Sequence, residues 1–378
     1  MIHGTNLIRP YTISVGQPVL DDLKSRLRNT RWPDKIKGST WGYGADLEYM
    51  KELVDYWQND FDWRKTESVV NQHENFLARI EGYDIHFMHI KNKGKNPVPI
   101  MLTHGWPSSF LEMLKLIPLL THSEDLTFDL VIPSMMGYGF SQKIDHPGCN
   151  VAFMADLWFK LMQELGYREF GLQGGDFGAG VSAAIAMKYP DHVTGLHLNY
   201  IPGNYQPVLD EDESFTREEE LYLRSEEEWY SREGGYSLEQ RTKPLTLAYG
   251  LNDSPVGLCA WIVEKMHGWS DCRGDVENAF TKDELLSVVT LYWVTETIHS
   301  SIRLYNENSK SPLKLGKDTR IAVPVGIARF RYEEPFPPRS FIDRGFNVQH
   351  WSEFPNGVEK SAILTTLRRK SFIFSNNL

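Results

Sequence analysis

From Pro97 to Asn199 the chain alternates short, mostly apolar runs with longer stretches of helical period. Residues 100–103, 128–133, 170–174 and 193–199 read as buried strands. Helices are expected between them: one after the Trp106-Pro107 loop to about residue 120, one over 151–165 and one over 179–189. Strands apolar on both faces and separated by helices predict an α/β fold with a mostly parallel sheet covered on both sides. Strand character returns at 321–328 and 347–351.

The chain before this alternation is different. Pro18 opens a segment with Leu20, Leu23 and Leu27 on one face, and Asp46 stands where it can cap a helix carrying Leu47, Met50, Leu53, Val54 and Trp57. Residues 76–80 and 85–90 are short strands joined through Glu81-Gly82, a hairpin. Trp32, Trp41, Tyr43, Trp57, Phe61 and Trp63 predict that this arm packs on something larger. From 205 to about 315 the segment reads as helical and partly acidic. Its runs Glu218-Glu219-Glu220 and Glu226-Glu227-Glu228 read as solvated helix faces. Four parts are expected: an arm and hairpin packing on the core (1–95), a first core segment (96–204), an inserted helical cap (205–315) and a second core segment (316–378).

A net charge of −10 argues against nucleic acid or an anionic membrane as partner. Three cysteines (Cys149, Cys259, Cys272) cannot build a disulfide framework, which predicts a reducing, cytoplasmic location. The first ten residues lack the apolar core of a signal peptide, and no apolar run is long enough to span a bilayer. No metal cluster or phosphate loop is evident, so no cofactor and no metal are expected. Eleven Trp, 17 Tyr and 19 Phe suit an apolar pocket and a plain core equally.

The chemistry centres on Gly174-Gly175-Asp176-Phe177-Gly178, at the junction of an expected strand and helix. Small residues two before and two after a central reactive residue let strand and helix approach closely, the logic of a nucleophile elbow. A carboxylate there can attack carbon to form an ester. An Asp at this place can equally cap the helix, and the elbow alone leaves the two readings even. An elbow nucleophile needs an oxyanion site. The expected donors are the N–H of Phe177 and that of Trp106, in His104-Gly105-Trp106-Pro107. His104 reads as a loop-shaping residue.

With these motifs the chain resembles the epoxide hydrolases of the α/β-hydrolase superfamily, most of all the microsomal-type branch with its soluble fungal members. The resemblance extends to the N-terminal arm, to Gly137-Tyr138-Gly139-Phe140-Ser141, to Thr242-Lys243-Pro244 and to the stretch from Asn252 to Leu258. Haloalkane dehalogenases also carry an Asp elbow but lack the arm. The resemblance implies an α/β-hydrolase fold with a helical cap and attack by Asp176 on an epoxide carbon. It also implies proton donation by a cap tyrosine pair, Tyr236 and Tyr305. By residue type alone each tyrosine reads more readily as an interface aromatic with a wet hydroxyl. The expected partners are a small apolar epoxide and water; a homodimer is left open.

For hydrolysis of the ester the resemblance implies a histidine and an acid that orients it. Glu333 falls on the acid position, with Glu334 as its backup. Glu359 stands where the histidine is expected, and no histidine follows His350. Three readings follow. His350 could serve, though it lies nine residues early inside a strand, too far at about 3.3 Å per residue. Glu359 could act as a weaker base, or ester hydrolysis is lost. Alternatives to a hydrolase are an enzyme that opens an epoxide with an internal hydroxyl to a cyclic ether, and a ligand-binding pseudoenzyme.

Overall fold

The computed structural model of the chain describes residues 8–94, 96–121, 127–331, 333 and 335–354. It begins with β1 (Ile8–Pro10), α1 (Gln17–Arg28), α2 (Leu47–Asn59) and α3 (Trp63–Val70). Pro18 lies in the first turn of α1, where its missing N–H costs nothing. Asp46 caps α2 by accepting the N–H groups of Glu48 and Tyr49. The apolar faces expected of α1 and α2 are buried. They do not pack on the sheet alone: Trp57 donates its indole N–H to Thr290 at 2.9 Å, and Trp41 stacks on His267.

The hairpin β2 (Asn75–Ile80) and β3 (Tyr83–Ile90) turns through Glu81 and Gly82, both at positive φ. A two-residue turn that matches strand twist needs that backbone. There follow β4 (Val98–Thr103), α4 (Ile117–Thr121), β5 (Phe128–Pro133), α5 (Val151–Glu164), β6 (Phe170–Gly174), α6 (Asp176–Lys188) and β7 (Val193–Leu198). An insertion comes next: β8 (Tyr205–Pro207), α7 (Arg217–Glu233), α8 (Gly235–Thr242), α9 (Pro244–Asp253), α10 (Pro255–Gly268), α11 (Lys282–Thr295), α12 (Ile298–Ser309) and β9 (Leu313–Leu315). The described chain ends with β10 (Ile321–Phe330), α13 (Arg339–Asp343) and β11 (Phe346–Phe354).

Nine strands form one sheet in the order β1-β2-β3-β5-β4-β6-β7-β10-β11. From β5 to β11 neighbours run parallel, while β1, β2 and β3 are joined by antiparallel pairings and β3 runs antiparallel to β5. β5 and β6 are wholly buried, which is why they read as mostly apolar runs without alternation, Asp129 and Gln173 being their polar members. The chain leaves β4 for β5 on one side and returns to β6 on the other. Such a reversal opens a crevice at the carboxyl ends of the strands.

Three expectations need correction. The helix after β6 starts at Asp176 rather than at residue 179, so the elbow residue is itself the first helical residue. The insertion is not purely helical, because β8 and β9 pair in parallel at its two ends (Tyr205 with Leu313, Pro207 with Leu315). Nor are the acidic runs simply solvated. Glu219 is fully buried, capping its own helix at Thr216 and bonding the Arg344 guanidinium through both oxygens at 3.0 Å. Glu226 is half-buried, and its carboxylate accepts the Tyr222 hydroxyl at 3.2 Å.

Candidate active site

Asp176 is the first residue of α6, separated from the end of β6 at Gly174 by Gly175, and its φ of +47° is in the left-handed region. That backbone is uncommon outside glycine, and Asp is among the residues that tolerate it best. The neighbouring glycines follow from the tight turn. A Cβ on Gly174 would overlap the Gly178 carbonyl, and a Cβ on Gly178 would overlap that of Thr103. Gly105 faces the elbow from the end of β4, where a Cβ would overlap both Cβ and Oδ1 of Asp176. The approach allows the Trp106 N–H to donate to Oδ1 at 2.8 Å. The Trp106-Pro107 peptide is cis.

His104 is buried behind this loop. Its Nε2 accepts the Met135 N–H at 3.2 Å, so the proton is on Nδ1, which faces the Gly105 carbonyl. Burial pushes its pKa down to about 4. It is a neutral residue that joins two loops, as its sequence context suggests.

Tyr236 on α8 and Tyr305 on α12 meet above the elbow. Their rings are 5.9 Å apart at 83°, and their side chains are hydrogen-bonded to each other. Trp106 stacks on Tyr236 at 5.6 Å and meets Tyr305 edge-on at 5.7 Å, while Phe177 meets Tyr305 edge-on at 4.7 Å. The tyrosine pair therefore rests on the two residues whose amides were expected to hold an oxyanion. Burial raises both phenols. The charge of Asp176 is the next cause for Tyr236; for Tyr305 it follows the influence of Tyr236. Both therefore remain protonated donors at neutral pH.

A cavity of about 230 Å³ is lined by Trp106, Asp176, Tyr236 and Glu333 among others; Tyr305 packs against Tyr236 and is not among its lining residues. Glu333 follows β10 and thus enters at the carboxyl end of the sheet. His350 does not reach that level. It pairs with Gly326, whereas the ends of the two strands pair as Phe330 with Phe354. Four residues at about 3.3 Å each leave it roughly 13 Å short. Its Nε2 meets the Ser352 hydroxyl at 2.9 Å. Glu359 and Glu334 lie outside the described residues. No histidine is among the described residues that line the cavity.

Sequence reasoning missed several lining residues. Glu226 was hidden in an acidic run, and burial raises its carboxyl. Lys265 and Trp269 come from α10 and its cap, beside an apolar run that looked like plain core. A lone lysine among buried Ile262, Val263 and Met266 was the available signal. Among the described residues no group of three or more His, Cys, Asp or Glu could hold a metal, and no helix is long and apolar enough to cross a membrane.

Comparison with known proteins agrees with this architecture. Residues 8–113 match the family described as epoxide hydrolase N terminus, and residues 98–246 match the alpha/beta hydrolase fold. The chain is 38% identical over 365 residues to Epoxide hydrolase 1 of Sus scrofa, covering 89% of this chain and 80% of that protein. The structure of Aspergillus niger epoxide hydrolase superposes with a TM-score of 0.83 at 30% identity, over 96% of this chain and 95% of that one. Juvenile hormone epoxide hydrolase from the silkworm Bombyx mori gives 0.81 at 29% identity, over 94% and 90%. With an α/β-hydrolase sheet, an elbow and full-length relatives of one kind, the chain belongs to the epoxide hydrolase family, enzymes that act on ether bonds.

Proposed function

We propose that the protein opens small apolar epoxides by attack of Asp176, with Tyr236 and Tyr305 as the acid, and that release of the resulting ester is its slow step. The supporting observation is the cavity lined by both Asp176 and Tyr236, with Tyr305 packed against Tyr236. The Trp106 N–H donates to Oδ1, and in this reading Oδ2 is the attacking oxygen. A carbon–oxygen bond forms from Oδ2, the epoxide carbon–oxygen bond breaks, and a tyrosine proton passes to the departing oxygen. The product is a hydroxyalkyl ester on Asp176 whose carbonyl oxygen is Oδ1. Water then attacks that carbonyl carbon, and the negative charge gathers on Oδ1 against the amides of Trp106 and Phe177.

The second step needs a base. Glu333 is the orienting acid in this reading, and Glu359 stands at the base position. A carboxylate of ordinary pKa near 4.3 is a poor base at neutral pH. General-base help is typically worth about a hundredfold to ten-thousandfold. Ring opening does not use it. The reading thus gives the vicinal diol slowly. The same cavity, with no histidine among its described lining residues, keeps a second reading: Asp176 as base for an internal hydroxyl that closes a cyclic ether, or a cavity that only binds.

We assign the chain to the microsomal-type branch on the strength of its N-terminal arm. We take 205–315 as a cap over the core segments 96–204 and 316–378, with 1–95 bracing both. A cytoplasmic location fits its three free, buried cysteines.

The test is mass spectrometry and single-turnover kinetics with styrene oxide. The reading expects an adduct of one epoxide mass on Asp176, a burst of about one equivalent, then slow turnover. Asp176→Asn should form no adduct. Undiminished epoxide consumption by that variant, with deamidation excluded by mass, would remove Asp176 as nucleophile. No burst and no adduct in the wild type would favour the cyclase or binding reading.

A further inference from the structure

Lys265 is only 7% exposed, yet it lines the cavity that holds Asp176. Among the described lining residues it is the one basic side chain. Its ammonium stands 5.0 Å from the centroid of the Tyr236 ring and 5.9 Å from that of Trp269. The neighbouring Glu264 carboxylate holds it at 2.6 Å. Taking a lysine out of water is costly before its partners are counted. Here two aromatic rings and a carboxylate offset that cost, and one of the rings belongs to the proposed acid.

We infer that Lys265 is the positioning residue of that acid: its cation, held over the Tyr236 ring, stabilises the phenolate left when Tyr236 gives up its proton. The inference rests on Tyr236 acting as acid. In ring opening the electron pair of the broken carbon–oxygen bond goes to the epoxide oxygen, the Tyr236 proton follows it, and the negative charge ends on the Tyr236 oxygen. Burial disfavours that charge most, followed by Asp176, Tyr230 and Glu264, while the side-chain hydrogen bond with Tyr305 favours it. Asp176 becomes neutral as the ester forms. Glu264 and Lys265 form an ion pair, and the ammonium is the member that stands over the Tyr236 ring. Lys265 is then left facing a ring that has changed from neutral to anionic. A cation over a neutral ring is attracted to its electron-rich face, more strongly when desolvated. Over a phenolate the attraction is stronger. Only that difference between ground and transition state accelerates the step.

The experiment is a double-mutant cycle on the single-turnover rate of Asp176 alkylation by styrene oxide. Lys265→Met keeps the apolar stem and should slow alkylation at saturating epoxide by about tenfold to thirtyfold. The half-saturating concentration should stay close to that of the wild type. Lys265→Arg should restore most of the rate, since a guanidinium also sits on aromatic faces. In a Tyr236→Phe background Lys265→Met should cause no further slowing. Equal slowing in both backgrounds would overturn the inference while leaving Tyr236 as acid. Wild-type alkylation by Tyr236→Phe would overturn the reading of Tyr236, and the inference with it. Should Lys265→Met not fold, Lys265→Gln carries the same comparison.

Discussion

The amide of Trp106 and Oδ1 of Asp176 are hydrogen-bonded at 2.8 Å across 70 positions of sequence. The contact commits one carboxylate oxygen before any substrate arrives. In the proposed sequence the committed oxygen is the one that becomes the ester carbonyl, so one amide orients the attack and then receives the oxyanion charge.

Gly105→Ala tests the closeness of that approach. The new methyl would overlap Asp176 Cβ and Oδ1, so the carboxylate must turn or the loop must retreat. A misplacement near 1 Å can cost about a hundredfold. Alkylation should slow by at least that factor while circular dichroism still reports the wild-type fold.

Removing a phenol should cost ring opening on the scale of one lost oxyanion donor, up to about a thousandfold. Tyr236→Phe and Tyr305→Phe act on hydroxyls bonded to each other, so their effects should not add. Single-turnover rates of the two single variants and the double variant check this.

Restoring a histidine should act on the other half of the reaction. Glu359→His is expected to raise steady-state turnover without enlarging the burst. Fast wild-type turnover that survives Glu359→Gln would put the base elsewhere.

Four buried histidines among the described residues, His86, His89, His104 and His197, give the folded state a pH dependence, burial lowering His89 to about 4 and His197 to about 3. Burial, with the charge of His104 as a second cause, pushes His86 down to about 3; burial pushes His104 to about 4. The unfolded chain takes up these protons below pH 6.5 and the folded chain does not. Their contribution is therefore complete above pH 6.5 and is lost as pH falls toward 4 and below. The thermal midpoint should decline over that range, and His104→Gln should make the decline shallower.

The parts of this molecule that were legible in the sequence carry their signal locally. The β5 strand is mostly apolar with no polar alternation, α2 has its cap and apolar face within one window, and the elbow declares itself by its small residues. The parts that were not legible depend on distant partners. β8 and β9 are three residues each with no period of their own, and they exist because each supplies the other's hydrogen bonds. Glu219 looks like any other member of an acidic run until Arg344 is brought to it from 125 residues away. Glu226 and Lys265 were read by the character of their neighbours, solvated in one case and core in the other, and both line the cavity.

The β8–β9 pair also bears on how such an enzyme can change over evolutionary time. The insertion leaves and re-enters the sheet side by side, through two strands clasped to each other. The clasp is fastened to the core, since Tyr205 donates its hydroxyl to the Phe341 carbonyl at 2.9 Å and its ring meets Phe346 at 5.2 Å. A residue gained or lost among α7 to α12 is absorbed beyond that fastening, before it can pull on β7 or β10. Selection is then free to reshape the roof over the substrate, one helix at a time, while the carboxylate beneath keeps its place.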